Sequence, residues 1–149
     1  MMIPHEIIQL ITGSVGSLCF GVLFNMRGRR LIFASVGGFI ATWLFLVLSV
    51  FSSSEPLNYF IVSAIVSLYS EIMARVLKTP ATPVITTALV PLIPGGSLYY
   101  TMAYAFSSSW LEFWDKAVYT LKLASALALG IICVTASVHI ISGRFLRQK

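Results

Sequence analysis

Two groups of residues hold the chemistry available to this chain. Glu71 and Arg75 stand four positions apart in an apolar run. On a helix that spacing puts both on one face, and an acid N-terminal to the base is the better order for an ion pair. A salt bridge that neutralises both charges is the plainest expectation. Ionisable groups inside membrane helices also line pathways or relay protons, so the pair is equally a candidate gate or proton-coupling site. The second group lies in the stretch KTPATPVITTALVPLIPGGSLYYTMAY, Lys78 to Tyr104. It is apolar enough for a bilayer, yet it contains Pro80, Pro83, Pro91, Pro94 and the pair Gly95-Gly96.

Those interruptions have a chemical consequence. Pro91 and Pro94 remove amide donors and leave carbonyls without their helical partners. Gly95 and Gly96 admit backbone angles closed to other residues and let a ligand approach the main chain. A helix restarting at about Ser97 would point its free N–H groups and positive dipole end at the break, which suits an anionic group. Thr86 and Thr87 before the break, with Ser97, Tyr99 and Tyr100 after it, supply hydroxyls. Broken backbone at membrane depth survives only where protein or a water-filled cavity satisfies it. The segment is therefore expected to bind a substrate carboxylate, as discontinuous transporter helices do.

The surrounding composition explains why a membrane is the setting. Of 149 residues, 58% are hydrophobic and 10% charged, against about 45–50% and 25% in soluble domains. Apolar runs recur along the whole length, so residues 1–149 read as one transmembrane domain. The net charge of +5 comes from basic residues at the ends of apolar runs. Membrane topology accounts for them, and nucleic-acid binding is not expected. Cys19 and Cys133 are single, with no metal-ligand spacing, and read as packing residues. No phosphate loop, hydrolase elbow or metal-binding motif is present, and four of the five acids lie near span edges. Neither an enzyme nor a cofactor or metal is expected.

Five spans follow. The first, from about Ile7 to Phe24, has Gly13, Ser17 and Gly21 on one face, a close-packing pattern expected to be used within the chain, with a seam between two copies as the alternative. Leu31 to Phe51 is the second. The third begins near Tyr59 and ends at Arg75–Lys78. The run from Thr79 to Leu111 is too long for one straight span and short for two. It is read as a fourth, broken helix, with four spans plus a re-entrant segment as the alternative. Trp110, Phe113 and Trp114 resemble an interfacial belt. The last span runs from about Ala117 to Ile141, with Lys122 snorkelling near its start and His139 as a boundary residue near its end. The basic turn Arg27–Arg30, the Arg75–Lys78 end and the C-terminal tail place the N-terminus outside and the C-terminus in the cytoplasm.

The same residues resemble a known family. A span ending at Arg75, then Thr79-Pro80, an apolar stretch, Pro91-Leu92-Ile93-Pro94-Gly95-Gly96 and a helix bearing Tyr99 resembles the threonine/serine exporter family. The first-loop Phe24-Asn25 with Arg29-Arg30 is also similar. Size and layout match its small split-type (YjjB-like) subunit over nearly the whole chain. The resemblance implies an exporter in the bacterial plasma (inner) membrane, for threonine or serine in some members and succinate or a related dicarboxylate in others. It also implies a separately encoded larger partner subunit. Association with a second copy of the chain, a non-transporting scaffold role in a membrane complex, and a small channel remain as alternative readings.

Overall fold

The computed structural model describes residues 4–107 and 109–146, with side chains described for residues 6–107 and 109–140. Six α-helices and one 3₁₀ turn account for nearly all of it: α1 (Pro4–Leu23), α2 (Arg29–Phe51), α3 (Glu55–Val76), α4 (Ala81–Leu89), the 3₁₀ turn (Val90–Leu92), α5 (Gly95–Phe106) and α6 (Trp110–Leu146). No strand occurs among the described residues. Four helices are long and apolar enough to cross a membrane, and α4 with α5, bent by 63° at the break, makes a fifth if the pair is one span.

Local sequence sets the boundaries. Asn25 (φ 55°) and Lys78 (φ 50°) adopt the left-handed conformation just after α1 and α3. The following amides, Met26 and Thr79, return to the carbonyls of Gly21 and Ala74 at 3.0 and 2.9 Å. That closure satisfies terminal carbonyls left without a helical donor. Pro56 sits in the first turn of α3, where its missing N–H costs nothing. This carries the helix back to Glu55, four residues earlier than expected from the sequence. Similarly, Phe113 bonds to the Ser109 carbonyl at 2.9 Å, so the aromatic belt is the first turn of α6 rather than a separate edge. At about 1.5 Å per residue the 37 residues of α6 reach about 55 Å, well beyond the ~30 Å hydrocarbon layer.

The prolines divide into two kinds. Pro80 caps α4 and Pro83 lies in its first turn, where amides have no helical acceptor in any case. Pro91 lies inside the 3₁₀ turn and Pro94 precedes α5. Lacking an N–H, Pro91 leaves the Thr87 carbonyl without its helical donor. The Val90 carbonyl, which Pro94 cannot serve, accepts from Ile93 at 3.2 Å instead. The break is therefore at residues 90–94. One expectation fails here: neither Gly95 nor Gly96 has a positive φ, and α5 starts at Gly95, ahead of Ser97. Backbone freedom is not what these glycines provide.

Packing fixes the topology. Small residues let α1 and α2 approach antiparallel, with Gly13 against Thr42, Ser17 against Gly38 and Gly21 against Leu31. The small-residue face of α1 is thus used inside the chain. Tyr69 donates to the Phe33 carbonyl at 3.0 Å, and the rings of Phe45 and Tyr59 meet edge-on at 5.0 Å, so α2 and α3 are also antiparallel. An apolar core of Ala41, Val62, Val66, Ile85, Ala88, Leu89 and Leu92 packs α4 and the 3₁₀ turn onto them.

Helices α3 and α6 run parallel. Tyr119 donates to Glu55 at one end; midway, Gly130 lies against Phe60, Ser63 and Ala64; at the other end Glu71 and Arg75 share a cavity with Thr135 and His139. Two parallel spans require an odd number of crossings between them. The segment from α4 to α5 therefore crosses once, as one broken span, and the re-entrant alternative does not hold. A basic end (Arg27–Arg30, Arg75, Lys78) and an acidic end (Glu55, Glu112, Asp115) result.

Candidate functional site

At the basic end a cavity of about 580 Å³ opens between the end of α3, the start of α4 and the last described turns of α6. Glu71 and Arg75 project into it from α3, as their spacing requires, facing Thr82 on α4 and Thr135 and His139 on α6. Glu71 is only 7% exposed. The ion pair expected between Glu71 and Arg75 is not made: Glu71 has no bonded partner among the described residues, while Arg75 is engaged in an interaction of its own. The reason is geometric: α3 turns Glu71 toward the packed interior and leaves Arg75 exposed.

A groove of about 390 Å³ continues this cavity along the gap between α4 and α6. The two share Thr82, Ile85 and Thr135, and the groove extends through Thr86 and Leu127 to Ile93 at the break. Its walls are largely aliphatic. The Thr86 hydroxyl donates to the Thr82 carbonyl at 2.9 Å and that of Thr135 to the Ile131 carbonyl at 2.8 Å. Both oxygens keep lone pairs free to accept.

Beyond the break, at the acidic end, Gly96, Ser97 and Tyr100 of α5 line a vestibule of about 560 Å³ with Glu55, Asp115, Lys116 and Tyr119. Nothing lies within 4 Å of where a Cβ on Gly95 or Gly96 would stand, so the main chain at the start of α5 is open to approach. The Gly95 amide bonds to Ile93 at 2.7 Å and the Leu98 amide to Pro94 at 3.0 Å. Gly96 and Ser97 lie in the first turn, where amides have no helical acceptor. Lys116 Nζ stands 5.7 Å from the Tyr119 ring centre. The arrangement offers an anion two backbone donors, a helix dipole and an ammonium group, set against the carboxylates of Glu55 and Asp115 on the same vestibule.

The residues singled out from the sequence are thus distributed over several places. Glu71 and Arg75 share the basic-end cavity, Thr86 faces the groove, and Gly96, Ser97 and Tyr100 face the acidic-end vestibule. Thr87 points the opposite way, fully buried against Met26, whose sulfur accepts its hydroxyl at 3.7 Å. Pro91 borders a separate cavity of about 420 Å³ against Gln9, Thr12 and Thr42. Pro94, Gly95 and Tyr99 flank the break, Tyr99 being 69% exposed with its ring 5.6 Å from that of Tyr100. Polar residues not anticipated as site members include Thr79, Thr82, Thr135 and His139 at the basic end and Glu55, Asp115, Lys116 and Tyr119 at the acidic end. The i, i+4 spacing of Thr135 and His139 marks a shared face of α6, and only the fold shows that this face meets Glu71.

A bundle in which one broken span connects polar cavities at opposite ends is that of a multi-pass membrane transport protein. The chain belongs to the threonine/serine exporter family: the family profile described as "Threonine/Serine exporter, ThrE" matches residues 9–137. That match takes in most of α1, all of α2 to α5 with the break, and most of α6. No curated protein and no solved structure matches the chain.

Proposed function

We propose that this exporter-family chain is the small membrane subunit of a secondary exporter for threonine, serine or a small dicarboxylate such as succinate. It acts with a larger subunit of the same family in the bacterial plasma membrane, its N-terminus outside and its C-terminus cytoplasmic. The observation that supports this most is the single broken crossing held between parallel α3 and α6, with a polar cavity on either side of the break. Such a span can flex at Ile93 and Pro94, after the packed 3₁₀ turn, where Pro94 interrupts the bonding ladder, without disturbing the core that holds α4 and Leu92. Substrate carboxylate docks on the open start of α5 at Gly96 and Ser97, beside Lys116, while Glu71 and Arg75 gate the opposite end.

Efflux from bacteria loaded with labelled threonine, serine or succinate, with the larger subunit coexpressed, tests the proposal. Loss of export on deleting this chain supports it. Full export by the partner alone would leave a scaffold role, and a conductance in liposomes that needs no gradient would mark a channel.

A further inference from the structure

We propose that the open cavity between α3, α4 and α6 is a second substrate site, which takes a small zwitterion by seating its ammonium group on Glu71. The inference rests on the exporter reading and concerns where the substrate's ammonium group is held. Glu71 carries the argument. Its side chain is more than nine-tenths buried and lines the cavity, yet no described residue hydrogen-bonds or ion-pairs with it. A buried carboxylate is costly unless a positive or donating partner meets it. An ammonium supplies both the charge and up to three donors.

The remaining walls suit the rest of such a molecule. At about 580 Å³ the space lies within the ~300–1,000 Å³ of small-ligand pockets. Thr135 and His139, one turn apart on α6, and Thr82 across from them on α4 offer polar partners for a side-chain hydroxyl. Arg75 and His139 also line the cavity, and among the described residues α4 adds no charge to it. The adjoining groove through Thr86 to Ile93 leads from this cavity to the break. The same geometry discriminates against a dicarboxylate, whose second carboxylate would face Glu71 with like charge.

The test is equilibrium binding of radiolabelled L-threonine, and separately of succinate, to the purified full-length chain in lipid nanodiscs. Wild type is compared with Glu71→Gln and with Ala136→Trp, which fills the cavity from α6 while leaving every charge in place. Loss of a charge-assisted contact should weaken threonine binding by at least about tenfold in Glu71→Gln, and Ala136→Trp should weaken it comparably. Succinate binding, if present, should not depend on Glu71. Should Glu71→Gln fail to fold, Ala136→Trp alone decides the matter. Threonine bound by wild type and undiminished in the variants would overturn the cavity assignment and leave the exporter reading intact. Binding of succinate but not threonine by wild type would overturn the ammonium assignment. Binding of neither would overturn the assignment and count against the exporter reading too.

Discussion

Gly130 lies where α3 and α6 come closest, so its replacement measures the parallel pairing on which the single-crossing topology rests. A Cβ at this position would stand 2.6 Å from the Phe60 carbonyl oxygen and 3.1 Å from the Ala64 amide nitrogen, and would overlap the Ser63 hydroxyl. The hydroxyl, now donating to Phe60 at 3.0 Å, can rotate away. The two backbone atoms cannot, so the helices must move apart. Overpacking of this kind costs about 1–3 kcal/mol. For a chain of this size each kcal/mol lowers Tm by about 2–4 °C, giving an expected fall of about 2–12 °C for Gly130→Ala. Thermal unfolding in nanodiscs, followed by tryptophan fluorescence, reads the change. Gly16→Ala is the control: nothing lies within 4 Å of its Cβ position, and alanine in a helix interior should gain about 0.5–1 kcal/mol. If Gly130→Ala melts no lower than wild type, α3 and α6 do not pack as described, and the single crossing loses its support.

Other outcomes follow from single residues. Ser70 is fully buried and its hydroxyl has no bonded partner; Ser70→Ala removes an unmet polar group and should be neutral or stabilising by up to about 1 kcal/mol in the same melt. A clear loss instead would show that the hydroxyl is engaged. Lys78 holds a left-handed conformation that costs a side-chain-bearing residue about 1–2 kcal/mol, so Lys78→Gly should raise Tm. Tyr119→Phe removes the bond to Glu55 at an exposed site, and should lower stability by no more than about 1.5 kcal/mol.

Much of the scaffold could be read from residue order. Long apolar runs with basic ends determine the number of spans, and Pro91 with Pro94 marks the place where an amide ladder must fail. The four-residue spacing of Glu71 and Arg75 put them on one helix face, and both line one cavity. Their relation to each other could not be read, because helix periodicity fixes a shared face without saying which edge of that face is buried. In a soluble helix, polarity would identify the buried side; a membrane helix is apolar toward lipid and protein alike. For the same reason Thr86 and Thr87 looked equivalent, although adjacent residues on a helix point about 100° apart. One faces the groove and the other Met26. His139 looked like an interfacial residue because α6 has to be set parallel to α3 before its last turns come near Glu71. Gly95 and Gly96 invited a conformational explanation, whereas the structure gives them ordinary angles and open space above the main chain.

The central claim, that the broken span is the route of export, is tested most directly by efflux through Pro94→Ala and Gly96→Leu. A side chain at position 96 has room to begin, with nothing within 4 Å of the Cβ position, so Gly96→Leu should insert and fold normally while obstructing approach to the start of α5. Pro94→Ala restores an amide at the hinge and should stiffen the bend. In cells loaded with threonine, serine or succinate and coexpressing the larger subunit, both variants should reach wild-type levels in the membrane and export markedly more slowly. Normal insertion with full-rate export by both would contradict the account.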